Sequence, residues 1–215
     1  QQIDPMPVIT GAAEYPADCL EHLAALGVDV DAIDALTPAL EAGSSKATNI
    51  VLMGSGEPFD NYDNVVKFLK LVNDPKGLNI SLRNISLSTC GLVRRMYDFA
   101  REGLPVTLSL SLHAPNDEIR QQTMPVAKVY SMDEVLDACR YYIEQTGRRV
   151  IFEYALVHGV NASPEQAAEL AGRLRGMQCH VNLIPVNPVV ERGNRRSSRQ
   201  AVERFQKTLQ NCGVN

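Results

Sequence analysis

From residue 49 onward, short β-rich apolar runs alternate with longer segments whose apolar positions recur at helical spacing. The runs are Ile50–Met53, Asn84–Ser88, Val106–Ser111, Arg149–Leu156 and His180–Ile184. The intervening spacing predicts helices over about 61–73, 91–102, 131–145, 164–175 and 197–211. Helix starts are marked by Asn61, by Ser131 ahead of Asp133-Glu134, and by Ser163 ahead of Pro164. A short polar side chain can take up an orphan N–H there, and proline fits the first helical position. Gly77, Gly103, Gly147, Gly176 and Gly213 stand where helices are expected to stop.

Five strand–helix units in succession predict parallel strands joined by crossovers. The runs are short and do not alternate cleanly, as for strands covered on both faces. A doubly wound sheet and an open or closed (β/α) barrel both satisfy this pattern. In either, ligands gather at the carboxyl ends of the strands. Residues 1–48 read differently. "QQIDPMPVITGAAEYPADC" carries three prolines and no clear period. Two short amphipathic helices, about 16–26 and 31–42, follow this irregular tail, and "EAGSSKATN" reads as a linker. The expected division is therefore 1–48 and 49–215.

At 215 residues the chain suffices for one large α/β domain or two small ones. Its 45% hydrophobic content is ordinary for a globular protein. No apolar run approaches the length of a membrane span, and no basic region followed by an apolar core opens the chain, so the cytoplasm is expected. Five cysteines, at 19, 90, 139, 179 and 212, are scattered and odd in number. They argue against a disulfide framework, and no CxxC or Cys/His pair offers metal-ligand spacing, so no metal ligand is assigned. The net charge of −4 neither demands nor excludes a nucleic-acid partner. The densest basic run is "RGNRRSSR", with Arg192, Arg195, Arg196 and Arg199. A solvated loop leading into a helix and a phosphate-contacting patch are both open readings.

The strand ends carry the candidate chemistry. The first run leads into Gly56-Glu57-Pro58, and the second ends "SLSTCGL", offering Ser86, Ser88, Thr89 and Cys90. The third, "SLSLHAPND", offers Ser109, Ser111 and His113; the fourth carries Glu153 and Tyr154; the fifth runs "HVNLIPVNP" to Asn182 and Asn187. Hydroxyls, amides, an acid and a histidine on one rim can satisfy the polar groups of a small molecule. The mixture suits an amino-acid-plus-ribose ligand better than a phosphate, because no tip combines a Gly-rich loop with a lysine.

At these residues the chain resembles the radical S-adenosylmethionine (SAM) adenine-C2 methyltransferases of RlmN type, related to the Cfr C8 methyltransferases. The resemblance runs from about Asn49 to Val214 through "NIVLMGSGEPFDNYDNV", "ISLSTCGLV", "LSLSLHAPNDEIRQQTMPV", "GRRVIFEYALVHGVN" and "CHVNLIPVNPV". It implies the partial (β/α) barrel of radical SAM enzymes, SAM and a [4Fe–4S] cluster as cofactors, and ribosomal and transfer RNA as partners. It also implies that Gly56 and Glu57 contact the amino end of SAM and that Ser88 supplies a hydroxyl at the next strand end. Ser111, Leu112 and His113 would line the ribose and adenine side, and Asn187 would complete the pocket. Arg192, Arg195, Arg196 and Arg199 would then meet the RNA backbone. Plainer roles stand beside these: Glu57 as a helix cap, Ser88 and Ser111 as strand-end hydroxyls, His113 as a structural histidine, Asn187 as a turn residue and Cys90 as a small buried residue.

The resemblance is incomplete. The family's CxxxCxxC cluster loop should precede Asn49, where only Cys19 stands, in "EYPADCLEHL". One thiolate cannot hold a cluster that needs three. The family's catalytic glutamate, its upstream RNA-binding helices and its methyl-carrying cysteine beyond the final strand have no counterpart, and Cys212 in "LQNCGV" is not assigned that role. No catalytic residue is therefore assigned. The expected fold lacks the usual first βα unit, replaced by residues 1–48, with a sheet edge that this segment or a homodimer would cover. The expected function is the SAM-binding core of an RNA methyltransferase, truncated and inactive alone. The alternative is a non-catalytic SAM- or RNA-binding module derived from that family. An unrelated barrel enzyme using Glu57, His113 and Glu153 for acid–base work is the remaining reading.

Overall fold

A computed structural model describes residues 48–53, 56–187 and 195–214. The helices expected over 16–26 and 31–42, nearly all of the linker, Cys19 and Arg192 lie outside the described residues. The fold divides between Ser88 and Thr89 into two compact units.

In the first unit β1 (Ile50–Leu52) leads, through a 3₁₀ turn over Pro58–Asn61, into α1 (Tyr62–Asn73). Tyr62, Val66, Leu69 and Val72 form the buried stripe of α1 at helical spacing. A second 3₁₀ turn, Leu82–Asn84, then feeds β2 (Ile85–Thr89). β1 and β2 pair in parallel, with Ile50 beside Ile85 and Leu52 beside Leu87. The helix does not run on to Gly77. It stops at Asn73, where the Asp74 N–H bonds to the Leu71 carbonyl and the Asp74 carboxylate accepts from the Lys76 N–H at 2.8 Å. Glycine at 77 has a different effect, because a Cβ there would crowd the Leu71 carbonyl oxygen at 3.0 Å.

The second unit carries β3 (Thr107–Ser111), β4 (Val150–Leu156) and β5 (Cys179–Pro185) as neighbouring parallel strands. Around them run α2 (Val93–Arg101), α3 (Asp117–Thr123), α4 (Met132–Thr146), α5 (Pro164–Leu174) and α6 (Arg199–Asn211). One sheet face is core: Leu108, Leu110, Val150, Phe152, Tyr154, Leu156 and Val181 are buried. α4 starts with a full capping box between Ser131 and Glu134 and ends on Gly147 at φ +64°. α5 repeats the box with Ser163 and Gln166. Aromatic contacts tie helices to the core, with Phe99 stacked on Tyr142 at 5.9 Å and Phe205 tilted on Tyr154 at 5.2 Å. The Tyr142 hydroxyl donates to the Val106 carbonyl at 2.7 Å, which fastens α4 to the approach of β3.

All five expected strands form, each within a residue of its expected bounds, and the five expected helices form within two. α3 is additional. Its sequence, "DEIRQQT", has no apolar stripe, and its one buried side chain is that of Arg120.

Candidate functional site

In the first unit, Gly56 is exposed at φ +142°, and a Cβ added there would meet nothing within 4 Å. Glu57 follows in an extended conformation, and its Oε1 accepts from the Phe59 N–H at 3.1 Å. It therefore caps the 3₁₀ turn that Pro58 opens. Ser88 is half-buried near the end of β2.

In the second unit the turn leaving β2 is held from both sides. The Thr89 hydroxyl accepts from the Gly91 N–H at 3.1 Å, and Arg120 donates Nη2 to the Cys90 carbonyl at 2.7 Å. A side chain at Gly91 would meet that guanidinium at 3.1 Å, so glycine admits the close approach. Arg120 is fully buried, and its Nε and Nη1 have no partner among the described residues.

The end of β3 is the most constrained point. Ser111 is half-buried, while Leu112 continues the fully buried series of Leu108 and Leu110 and offers the opposite face only its backbone. His113 then turns to φ +58°, the left-handed region that a non-glycine residue adopts at a cost. Four hydrogen bonds hold the Leu112-His113 tip. The N–H groups of both residues donate to the Glu153 carbonyl, at 3.0 and 3.2 Å. The His113 carbonyl accepts from Asn161 Nδ2 at 2.7 Å, and His113 Nδ1 accepts from the Ala155 N–H at 3.1 Å. An accepting Nδ1 puts the ring proton on Nε2. Burial first, and the Arg120 charge second, hold the imidazole pKa below its ordinary value, so the ring is neutral at neutral pH.

Asn161, which the sequence reading passed over, is the hub of this tip. It is 3% exposed. Its amide donates to the carbonyls of His113 and Ala155, both at 2.7 Å, and its Oδ1 accepts from the Val157 N–H at 2.7 Å. The Tyr154 hydroxyl closes the loop on the Asn161 carbonyl at 2.9 Å. The available signal was "HGVN": Gly159 at φ +75° marks a tight turn, and asparagine is the side chain that bridges backbone groups within one.

The remaining candidates separate. Asn187 is exposed beyond the end of β5. Arg195 and Arg196 are exposed, and their backbone is stitched to the loop after β4. The His158 N–H donates to the Arg195 carbonyl at 3.0 Å, and Arg196 pairs with Val157 in an antiparallel bridge. Arg199, at the start of α6, is exposed and pairs with Glu203 at 2.8 Å. The second unit thus brings Ser111, Leu112 and His113 to one strand end, whereas Gly56, Glu57 and Ser88 belong to the first.

Comparison with known proteins gives a matching family, described as the Radical SAM superfamily, over residues 17–171. The chain belongs to that superfamily. It is 55% identical over 182 residues to the probable dual-specificity RNA methyltransferase RlmN of Alkaliphilus oremlandii, covering 85% of this chain and 53% of that protein. The protein of the same description from Caldanaerobacter subterraneus is 54% identical over 176 residues. Among solved structures, a radical SAM methyltransferase from Sphaerobacter thermophilus superposes with a TM-score of 0.81 at 42% identity, covering 86% of this chain and 54% of that one. The α/β fold is accordingly of the radical SAM type, and the chain spans about half the length of the curated relatives it matches.

Membership of the radical SAM superfamily implies SAM and a [4Fe–4S] cluster. The described residues fit the two unequally. No three of their His, Cys, Asp or Glu side chains converge as a metal site would require. Burial pushes the Cys139 thiol far up and the Cys179 thiol up to about 11, so neither is a ready thiolate, and Cys212 is exposed just past α6. These cysteines do not fit a cluster. Hydroxyl, amide, imidazole and carboxylate groups at the strand ends do fit a ligand with hydroxyls and an amine. No helix among the described residues is long and apolar enough to cross a membrane.

Proposed function

We propose that this chain is the SAM-binding core of a radical SAM methyltransferase that modifies adenine C2 of ribosomal and transfer RNA, and that the 215-residue chain alone binds SAM without transferring methyl groups. The observation that carries the first part is the over-determined tip of β3. A strained, neutral His113 fixed by three hydrogen bonds of its own and a fourth from Leu112, beside the half-buried Ser111 hydroxyl, is the kind of rigid polar fixture that a ligand site needs and a plain turn does not. Nε2–H serves as a donor, and Ser111 as donor and acceptor, toward the ribose and adenine side.

In this reading Gly56 offers a ligand access to backbone, Glu57 offers its carboxylate to an ammonium group, and Ser88 and Asn187 each offer a polar side chain. Cap and ligand roles are compatible for Glu57, because a carboxylate accepts several hydrogen bonds at once. The RNA assignment draws on the relatives named as RNA methyltransferases and on the exposed Arg195 and Arg196. The inactivity proposed for the chain alone rests on its cysteines: five, with no CxxxCxxC among them. The cysteine pattern also favours a second reading, a SAM- or RNA-binding module without catalysis. The absence of a membrane-spanning helix among the described residues agrees with the cytoplasmic setting proposed here.

Equilibrium dialysis against SAM tests the reading. Saturable one-to-one uptake is expected, weakened about tenfold by Ser111→Ala or His113→Ala, since each removes one buried hydrogen bond worth about 1.4 kcal/mol. Uptake insensitive to both variants would contradict the assigned pocket. Methyl transfer to RNA by the purified chain would contradict its inactivity.

A further inference from the structure

Packing does not account for α3. The helix has no apolar stripe, and of its seven residues only Arg120 is buried. Polar contacts fix its start. Asn116 Nδ2 donates to Glu169 Oε2 of α5 at 3.0 Å, and Asp117 Oδ1 accepts from the Met132 N–H of α4 at 2.6 Å. So held, the helix carries a guanidinium under the turn that leaves β2, where Nη2 donates to the Cys90 carbonyl at 2.7 Å. That bond goes to a carbonyl rather than a carboxylate, and Nε and Nη1 have no partner among the described residues. A fully buried cation so thinly compensated is costly, and a leucine or methionine would fill the volume with less penalty. A short helix that buries nothing but this cation marks the cation as its purpose.

We propose that Arg120 is a positioning residue of the SAM pocket, a buried staple that sets the turn after β2 against the strained tip of β3. This rests on the SAM reading and adds to it a residue that touches no ligand. On one side, the Cys90 carbonyl and the close approach at Gly91 fix the backbone of the turn. Leu110 of β3 crowds the same glycine, 3.4 Å from where its Cβ would stand. On the other side, α3 follows His113 after a short loop, and the guanidinium charge acts on the imidazole. Protonation would place hydrogen on Nδ1, where the Ala155 N–H now donates, and would break that bond. A permanent cation opposes this step, so the tip keeps one geometry across the neutral range. Around the pair stand Asp117 on α3, Cys90 in the turn and Cys139 on α4. Glu153 on β4 meets the tip through its carbonyl, and the loop after β4 presents the uncharged Asn161. Of these charges, Arg120's is the one that acts on the ring.

The test separates charge from support. SAM uptake by the wild type, Arg120→Lys, Arg120→Gln and Arg120→Met is measured by dialysis from about pH 5 to about pH 8, and the His113 ring is titrated by NMR. Uptake is taken as a ratio to the wild type, so the ligand's own titration cancels, and circular dichroism checks folding. Arg120→Gln and Arg120→Met are expected to raise the His113 midpoint. They should also lose SAM affinity, about tenfold, at a pH where the wild type still binds. Arg120→Lys keeps the charge and is expected to keep the wild-type midpoint. Arg120→Met, which exchanges the buried cation for apolar volume, decides the matter if Arg120→Gln fails to fold. A merely structural side chain would move stability in these variants and leave both pH profiles in place. That result, with SAM still taken up by the wild type, would overturn this proposal alone. No uptake by the wild type would overturn the SAM reading and this proposal with it.

Discussion

His113 and Asn161 make one device. The strain of a left-handed histidine is sustained by the Asn161 amide and by two N–H bonds onto Glu153. Asn161→Ala strands the Val157 N–H and the carbonyls of His113 and Ala155, and should cost about 3 kcal/mol in chemical denaturation. A loss below about 1 kcal/mol would mean that water replaces the amide. His113 also gives the fold a pH dependence of known sign. Its folded pKa lies below its ordinary 6.5. On acidification through that value the unfolded chain takes up the proton first, so stability falls as pH drops toward the folded pKa. The unfolding free energy of the wild type relative to His113→Gln should therefore decline between about pH 7 and pH 5. Parallel curves would mean that the ring is not held neutral. At this scale the sequence was partly legible. Ser111 and His113 stood out as polar groups at a strand end. Asn161 did not, because its importance lies in which backbone groups the loop brings within reach.

Elements were more legible than single contacts, and α4 illustrates why. Its start and stop are written locally, as Ser131 with Glu134 and as Gly147 in the left-handed conformation. Ser131→Ala should cost about 1 kcal/mol by leaving the first turn uncapped. Gly147→Ala should cost a similar amount, about 1 kcal/mol, because alanine resists φ +64°. Thermal or urea unfolding of the two variants checks both, and an unchanged midpoint in either would mean that the terminus is held by tertiary contacts instead. α3 was missed for a converse reason. It is seven residues long and buries a charged side chain, so no apolar period exists to be read. Gly77 misled because glycine after a helix usually caps it, whereas here it clears the Leu71 carbonyl.

Across the whole molecule, strand runs bounded by turn signals pointed to a parallel α/β fold, and collinear strings pointed to its family. Periodicity alone did not choose between a doubly wound sheet and a barrel, since both bury parallel strands in the same way. The proposed RNA partner would be met through surface charge. Arg195→Glu should weaken RNA binding and reduce the dependence of affinity on salt by about one counterion. An unchanged salt slope would remove Arg195 from the interface. The expected homodimer belongs to this scale as well, and sedimentation equilibrium would detect it.

The most direct measurement is a calorimetric titration of SAM into the chain before and after anaerobic iron–sulfur reconstitution. The proposed strand-end pocket predicts saturable binding of equal affinity in both states, because the described cysteines do not assemble a cluster that could anchor SAM. Binding that appears only after reconstitution would contradict this, and would make the cluster, rather than the ends of the strands, the anchor for SAM.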